Sequence, residues 1–453
     1  MAKKLLSVGL DVGTTSTQLI LSRLTAENKA SGFAVPKMEI TDREILYRSP
    51  VHFTPLAAHN LVDAVALRQL IEKEYTAAGI TREQVDTGAV IITGETSRKE
   101  NAKAVLAELS DLAGDFVVAT AGPDLESILA ARGAGAMERS EGKRVLHMDI
   151  GGGTSNLCLL EDGKILATGC LNVGGRLLKL DERGRVTYRS PVLEGLTALE
   201  VGDRPTEAQV RQVADTLVSA LEMAAGFTPP GDLLEKLTTK ETGKPWHIPR
   251  EVIPSFSGGV ADCIARDFPD NAFGDLGPVL GRAIRESKLC RREYFLGAET
   301  IRATVIGAGC HSVQLSGSTV FSQNLRFPMK NIPAVVGQNP ATQADVQAML
   351  AQTDADRAFV CLPGFSAPTY GQVKELARVI AEGFGEKPVL VCLEQDCAKA
   401  LGHCLRLLLP GDRPCLCLDG LALEPGSYLD VGEPVGPAFA VVIKTFVLAG
   451  GNQ

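Results

Sequence analysis

The stretch LDVGTTSTQLIL (residues 10–21) has a second copy in the chain, MDIGGGTSNLCL (residues 148–159). In both copies an aspartate ends an apolar run and is followed by a glycine turn with hydroxyl side chains. Aligned without gaps, Asp11 falls on Asp149 and Gly13 on Gly151. The pairs that follow are Ser16 with Thr154, Thr17 with Ser155, Gln18 with Asn156, Leu19 with Leu157 and Leu21 with Leu159. A repeated chemical motif needs one explanation for both copies.

Each copy predicts a β-hairpin whose turn can bind phosphate. An aspartate at a strand end can hold a hydrated Mg²⁺ ion, and a glycine turn lets backbone N–H groups approach phosphate oxygens. Two such hairpins facing each other would clamp a polyphosphate, with Asp11 and Asp149 as the metal-binding candidates. The phosphate-binding candidates are Gly13, Thr14, Thr15, Ser16, Gly151, Gly152, Gly153 and Thr154. An ordinary tight turn is the alternative for one copy alone, and the matched second copy favours a function.

The composition is that of a soluble globular protein. The chain has 453 residues, 45% of them hydrophobic and 22% charged, which is enough for about two to four domains. Its net charge is −8 and its basic residues are interspersed with acidic ones, which argues against nucleic-acid binding. We find neither a signal peptide nor the run of about eighteen apolar residues that a membrane span needs. Eleven cysteines without a secretion signal therefore indicate a reducing, cytoplasmic location.

Two cysteines, Cys415 and Cys417, alternate in PCLCLDG and so face the same side of a predicted strand. We favour a buried pair of small side chains there over a zinc site. The six histidines are scattered and form no ligand pattern.

Other segments predict an α/β organisation. Helices are predicted over about residues 60–78 and 206–225, and strand–turn–helix units around Thr96 and Pro123. The dipeptide Asp162-Gly163 predicts a further hairpin turn. From about residue 340, strands and helices alternate, as in a small open α/β unit. We therefore divide the chain into a first lobe (1–140), a second lobe (141–335) and a C-terminal α/β unit (336–453).

The two hairpins resemble the phosphate-binding elements of the actin, hexokinase and heat-shock-chaperone ATPase superfamily. Three more segments resemble that superfamily in the same order. ESILAARGAGA, from Glu126, resembles the first connecting helix, whose glutamate approaches the attacking water. IPSFSGGVADC resembles the adenosine element, in which Gly258 and Gly259 lie against the nucleoside, and IRATVIGAGC, from Ile301, resembles the second connecting helix.

This resemblance implies an actin-like two-lobed ATPase fold made of duplicated ribonuclease-H-like domains. It also implies ATP and Mg²⁺ as ligands, with Asp11, Glu126 and Asp149 as catalytic candidates. One position departs from the heat-shock chaperones, whose second hairpin ends in a further carboxylate where this chain has Asn156. An amide cannot act as a base at neutral pH, so we expect slow hydrolysis.

A closer resemblance spans the whole chain. SVGLDVGTTSTQLI, EILYRSPVHFTPL, GETSRKENAKAVL, HMDIGGGTSNL, LNVGGRLL, FSGGV and LRFPMKNIPAV are similar to the ethanolamine ammonia-lyase reactivating factors of bacterial ethanolamine utilisation. That family implies ATP-dependent exchange of damaged cobalamin for intact adenosylcobalamin, a cofactor of the partner lyase. It also implies association with the ethanolamine-utilisation microcompartment. These implications come from the resemblance and not from composition or spacing.

Two other classes of function fit a nucleotide clamp: a small-molecule kinase, and a filament-forming structural ATPase. The C-terminal unit, which lies outside the clamp, is the candidate for contact with the lyase. The sequence leaves the oligomeric state open, a homodimer included.

Overall fold

The computed structural model describes residues 3–13, 16–28, 38–58, 61–92, 117–120, 123–240, 252–311, 313–317, 319–353, 355–423 and 427–445. Two predicted features lie outside these ranges, namely Thr14 and Thr15 of the first turn and the helix predicted after Thr96. In the described part of the chain, no helix is both long and apolar enough to span a membrane.

The first sheet and its neighbours contain β1 (Lys3–Val12), β2 (Ser16–Asn28), β3 (Met38–Arg48), β4 (His52–Phe53), β5 (Leu56–Ala58), β6 (Leu61–Val62), α1 (Ala64–Ala77), β7 (Thr87–Ile92) and β8 (Val117–Thr120). The predicted first hairpin is present, because β1 pairs antiparallel with β2. The helix predicted over residues 60–78 is also present, and it begins later, at Ala64. Its start is fixed by Asp63, whose side chain accepts a hydrogen bond from the backbone N–H of Ala66 at 3.0 Å.

The middle of the chain contains α2 (Pro123–Gly133), α3 (Ala136–Arg139), β9 (Arg144–Ile150), β10 (Ser155–Glu161), β11 (Lys164–Leu171), β12 (Leu178–Leu180), β13 (Val186–Arg189), α4 (Glu207–Ala224), α5 (Asp232–Leu237), β14 (Ile253–Ser257), α6 (Gly259–Ala265), α7 (Gly277–Glu286), β15 (Phe295–Leu296) and α8 (Ala303–His311). The second hairpin is β9–β10, as predicted. The predicted turn between β10 and β11 is also present, with positive φ at both Asp162 and Gly163.

Each lobe contains its own β-sheet, and the two sheets have the same topology. The first has the strand order β3-β2-β1-β7-β8 and the second β11-β10-β9-β14-β15. In the first sheet β1, β2 and β3 pair antiparallel, and β7 and β8 are added parallel to β1. In the second sheet β9, β10 and β11 pair antiparallel, and β14 and β15 are added parallel to β9. The repeat seen in twelve residues therefore extends to a whole duplicated sheet, which is the ribonuclease-H-like topology that the resemblance implies.

Two helices cross between the lobes. Helix α2 leaves the first sheet and packs on β9, β10 and β11 of the second, whereas α8 leaves the second sheet and packs on β1, β2 and β7 of the first. The two helices also pack against each other. Glycines permit this contact, because a Cβ on Gly133 would lie 1.8 Å from the carbonyl oxygen of Ala303, and one on Gly307 would lie 2.0 Å from that of Leu129.

The C-terminal part contains β16 (Val313–Leu315), β17 (Phe321–Gln323), β18 (Met329–Val336), α9 (Gln343–Leu350), β19 (Phe359–Leu362), α10 (Tyr370–Gly383), β20 (Val389–Leu393), α11 (Ala398–Leu408), β21 (Cys415–Leu418), β22 (Ser427–Val435) and β23 (Ala438–Thr445). Strands β18 to β21 are parallel and alternate with α9, α10 and α11, as the sequence predicts. They join the other strands in an eight-stranded sheet of order β16-β23-β22-β18-β19-β20-β21-β17. This sheet therefore begins at residue 313, before the residue 336 that the sequence suggests.

The C-terminal sheet is joined to the first lobe by a common core. Ala440 and Val442 of β23 lie in one buried cluster with Leu5, Ile20 and Val305. Cys415 and Cys417 are both buried in another cluster, between the parallel strands and their helices. The cysteine pair is thus part of the core, as expected.

Candidate functional site

The turns of the two hairpins have the same backbone hydrogen bond. The N–H of Gly13 donates to the carbonyl of Ser16 at 2.8 Å, and the N–H of Gly151 donates to that of Thr154 at 2.9 Å. These four residues are the ones that the sequence repeat aligns. The first turn is also bonded to the segment that follows β4, because the Thr54 hydroxyl donates to the Gly13 carbonyl at 2.8 Å.

Three carboxylates lie together beside these turns. Asp11 is near the end of β1, Asp149 is near the end of β9, and Glu126 is on α2. Burial, and then the charges of Asp11 and Asp149, raise the pKa of Glu126 well above its usual range, while a hydrogen bond with Asn156 lowers it. The charges of Asp11 and Asp149 therefore both act on Glu126.

The Asp149 carboxylate is held by two hydroxyl groups. Oδ1 accepts a hydrogen bond from Ser257 at 2.5 Å, and Oδ2 accepts one from Thr304 at 3.5 Å. Burial raises the pKa of Asp149 from 3.8 to about 6, although both of these hydrogen bonds lower it. Asp149 is 8% exposed, so its carboxylate is nearly buried and is oriented by these two hydroxyl groups.

A buried histidine supports Ser257 from behind. His147 Nε2 lies 2.9 Å from the Ser257 hydroxyl, and His147 Nδ1 lies 2.9 Å from the Ser255 hydroxyl. Burial lowers the pKa of His147 to about 3, so the ring is neutral and has one donor and one acceptor nitrogen. Because Ser257 donates its proton to the ionised Asp149, Nε2 must be the donor nitrogen, and Ser255 must donate to Nδ1.

The two hairpins also share a buried side-chain amide at equivalent positions. Gln18 lies opposite Asp11 on the neighbouring strand, and Asn156 lies opposite Asp149. Gln18 Oε1 and Asn156 Oδ1 are buried and have no hydrogen-bond partner in the described part of the chain. Buried acceptors of this kind need donors.

Hydrated Mg²⁺ fits these groups. Mg²⁺ keeps several of its water ligands and is usually bound by one or two carboxylates together with substrate phosphates. Asp11 and Asp149 would supply the carboxylates, and the two amide oxygens without a partner would accept hydrogen bonds from water ligands of the ion. Within the described ranges, no three His, Cys, Asp or Glu side chains are placed to enclose a metal on their own.

The predicted adenosine element lies beside the second turn. Gly258 follows β14 and has φ +86°, and a Cβ there would lie 2.3 Å from the carbonyl oxygen of Ile150, so only glycine fits. Gly259 begins α6 and has open space around its Cα. The exposed Gly259 therefore follows a glycine that packs against Ile150, the residue before Gly151.

Some site residues escaped the sequence analysis. Ser257 and Thr304 are hydrogen-bonded to Asp149, and His147 is hydrogen-bonded to Ser257. None of the three lies within the aligned motif, so the repeat does not identify them. Gln18 is in the motif, and its weak signal was the amide aligned with Asn156. The predicted phosphate ligands Thr14 and Thr15 lie outside the described residues.

Comparison with known proteins gives a match over nearly the whole chain. Residues 3–449 match the sequence profile of the family described as ethanolamine utilisation protein EutA. The chain is 40% identical over 467 aligned positions to the ethanolamine ammonia-lyase reactivase EutA of Salmonella typhimurium (strain LT2), covering 98% of each chain. The same values of identity and coverage, over 468 positions, apply to the ethanolamine ammonia-lyase reactivase EutA of Escherichia coli (strain K12).

Among solved structures, a Ppx/GppA family member from Aquifex aeolicus is similar with a TM-score of 0.44 and 13% identity, over 67% of this chain and 97% of that one. A likeness of this size carries no information on ligand or activity.

Proposed function

Since the chain belongs to the ethanolamine utilisation protein EutA family, we propose that it is an ATP-dependent reactivating chaperone for ethanolamine ammonia-lyase. The observation that carries the proposal is the pair of matched turns, Gly13–Ser16 and Gly151–Thr154, beside three clustered carboxylates. The two curated relatives, which are reactivases by name, support the choice of the lyase as the partner.

Mg-ATP would be held between the lobes. The proposed phosphate ligands are the backbone and hydroxyl groups of the two turns, and the proposed nucleoside contact is Gly258–Gly259. Asp11 and Asp149 would hold the hydrated metal, which supplies positive charge to stabilise the charge that develops on the phosphates. Thr14 and Thr15 stay candidates from the sequence.

The proposed role of Glu126 is to orient and deprotonate the attacking water. Its raised pKa makes the ionised carboxylate a stronger proton acceptor, and a bound Mg²⁺ ion would favour that ionised form. Asn156, which is hydrogen-bonded to Glu126, would keep that carboxyl in place but cannot take a proton itself. We therefore propose slow hydrolysis, as befits a switch rather than a metabolic ATPase.

The two crossing helices provide a route from the nucleotide to the lobes. Thr304 of α8 bonds Asp149 of the second lobe, while α8 itself packs on the first lobe. A bound nucleotide that bridges both turns would favour a closed cleft between the two lobes. Loss of its terminal phosphate would let the lobes reopen. Any effect on the lyase then requires that the two arrangements differ in affinity for the lyase.

The proposed outcome is replacement of damaged cobalamin in the lyase by intact adenosylcobalamin. Adenosylcobalamin remains a cofactor of the lyase, and we assign no cobalamin site to this chain. We propose the C-terminal sheet with its helices as the contact with the lyase, residue 140 as the limit of the first lobe, and association with the ethanolamine-utilisation microcompartment as the location.

The experiment starts from ethanolamine ammonia-lyase inactivated with cyanocobalamin. The purified protein is added with ATP, Mg²⁺ and adenosylcobalamin, and ethanolamine turnover is followed. The proposal predicts recovery that requires both ATP and this protein. Absence of recovery with folded protein would overturn it. Phosphorylation of an added alcohol in the same mixture would instead favour a small-molecule kinase, and ATP-dependent sedimentation would favour a filament protein.

A further inference from the structure

The candidate site contains much negative charge, and its two repeated stretches contain no basic residue. Residues 10–21 and 148–159 contain neither Lys nor Arg. Asp11, Glu126 and Asp149 lie close together there, and the phosphates of ATP would add further negative charge. A single Mg²⁺ ion leaves part of this charge uncompensated, so a cation from another part of the chain is expected near the turns.

Arg176 is the basic residue that the fold attaches to the second turn. Its backbone N–H donates to the carbonyl of Gly152 at 2.6 Å, and the N–H of Gly175 donates to that of Gly151 at 3.0 Å. The side chain then runs over the turn, because a Cβ on Gly152 would lie 3.1 Å from Cδ of Arg176. A Cβ on Gly174 would lie 2.4 Å from the Gly152 carbonyl oxygen, so the glycines before Arg176 are needed for this close approach.

The guanidinium group of Arg176 forms a long ion pair with Asp275, which a phosphate group could replace. Its Nε lies 3.5 Å from Oδ2 of Asp275, and the Arg176 side chain is 39% exposed. A long, partly exposed pair of this kind contributes little stability. A phosphate offers the guanidinium two parallel charge-assisted hydrogen bonds instead.

Asp275 keeps other partners when Arg176 moves away. Its Oδ1 accepts a hydrogen bond from the backbone N–H of Gly277 at 2.9 Å, at the start of α7. The charge of Lys179 also acts on it, and both lower the pKa of Asp275 against the effect of burial. The release of Arg176 therefore does not leave an unpaired buried carboxylate.

We propose that Arg176 binds the phosphate chain of the nucleotide, and that Asp275 holds the guanidinium group beside the turn when no phosphate is present. The inference rests on the proposed ATP binding and adds to it a residue outside the repeated motifs. Asp275 acts through Arg176 and is a positioning residue.

The test is calorimetric titration of the full-length protein with ATP, ADP and adenosine in Mg²⁺. In Arg176→Gln the affinity for ATP should fall by about tenfold to a hundredfold, as for loss of hydrogen bonds to a charged group. The affinity for ADP should fall less or equally, and that for adenosine should not change. Arg176→Lys, which keeps the methylene groups on Gly152, should retain part of the ATP affinity and serves if Arg176→Gln does not fold.

Asp275→Asn tests the exchange. It should strengthen ATP binding in the wild-type background and have no effect in the Arg176→Gln background, because the carboxylate competes only through Arg176. Equal ATP affinity in wild type and folded Arg176→Gln would overturn the inference alone, as would equal losses for ATP and adenosine. Wild-type protein that binds no ATP would overturn the proposed function and this inference with it.

Discussion

The hydroxyl of Thr304 lies 3.5 Å from Oδ2 of Asp149 and so joins a helix packed on the first lobe to a carboxylate of the second. Thr304 is 155 residues away from Asp149 in the chain, yet both belong to one buried polar group with Ser257. The position of the metal-binding candidate in one lobe therefore depends on a helix that packs on the other.

Thr304→Val should lower ATP hydrolysis about fivefold to tenfold, because one hydrogen bond to a charged group is lost while the side-chain shape is kept. Thr304→Ser retains the hydroxyl group and should hydrolyse ATP at close to the wild-type rate. Steady-state phosphate release from the three proteins is the measurement. Equal rates for Thr304→Val and Thr304→Ser would show that this hydroxyl has no part in the reaction.

The contact between the two crossing helices should tolerate no added side chain. Gly307→Ala places a Cβ 2.0 Å from the carbonyl oxygen of Leu129, so we expect the free energy of unfolding to fall by about 1–3 kcal/mol. Gly371→Ala is the matched control, since a Cβ there meets nothing within 4 Å, and its effect should stay within about 0.5 kcal/mol. Urea unfolding measures both, and equal stabilities would argue against tight helix packing.

The buried His147 gives the metal-free protein a defined pH dependence. Its pKa is 6.5 in the unfolded chain and about 3 in the folded protein, so folding favours the neutral ring. The resulting stability is fully present above pH 6.5 and is lost as the pH falls towards 3. Asp149 has the opposite sign, because its pKa rises from 3.8 to about 6. Folding favours the protonated form of Asp149, so the contribution of this group to the free energy of unfolding grows as the pH falls from 6 to 3.8.

His147→Gln separates these two effects. The loss of free energy of unfolding caused by the substitution should be about 2 kcal/mol smaller at pH 5 than at pH 7, since only the wild-type ring resists protonation. Urea unfolding of both proteins at the two pH values, in EDTA, is the measurement. An identical loss at pH 5 and pH 7 would mean that His147 is not held neutral.

The two hairpins and their carboxylates were predictable from the sequence. The side chains that orient those carboxylates were not. The two hairpins were predictable because Asp11 and Gly13 are neighbours in the chain and their copy repeats the spacing. Glu126 was found through the resemblance to a known superfamily. Ser257 and Thr304 reach Asp149 only through sheet pairing and helix crossing, which no local pattern encodes.

The fold was predictable to a similar extent. Alternating strands and helices predicted the parallel strands of the C-terminal unit, because hydrophobic periodicity is a local property. The pairing of β16 with β23 and the burial of Ala440 and Val442 beside Leu5 are long-range contacts. They make the C-terminal sheet part of the first lobe's core, so a truncation near residue 335 would open that core and is a poor test of partner binding.

Surface substitutions test the proposed lyase contact without that problem. Leu407 on α11 is 77% exposed, beside the partly exposed Leu408, and an exposed apolar pair is a candidate contact. Leu407→Asp should slow lyase reactivation by about tenfold and leave ATP hydrolysis unchanged. Val201→Asp, at a position that is 63% exposed in the second lobe, is the control and should reactivate normally. Normal reactivation by Leu407→Asp would remove this surface from the account.

The role of the first carboxylate is open to an isosteric test. Asp11→Asn keeps the shape of the side chain and removes its charge, so Mg²⁺ should be held less well and ATP hydrolysis should fall by about a hundredfold. If Asp11 were only a turn residue, asparagine would replace it well and hydrolysis would stay near the wild-type rate. Circular dichroism and urea unfolding establish that the variant is folded.

Reactivation itself can be compared between wild type and Asp11→Asn. The quantity measured is the rate at which each restores turnover to cyanocobalamin-inactivated ethanolamine ammonia-lyase, with ATP, Mg²⁺ and adenosylcobalamin present. If ATP held between the two hairpins drives reactivation, the wild-type protein restores turnover only when ATP is present, and folded Asp11→Asn does so about a hundredfold more slowly. Reactivation by Asp11→Asn at the wild-type rate, or by wild type without ATP, would contradict a mechanism driven by ATP at the two hairpins.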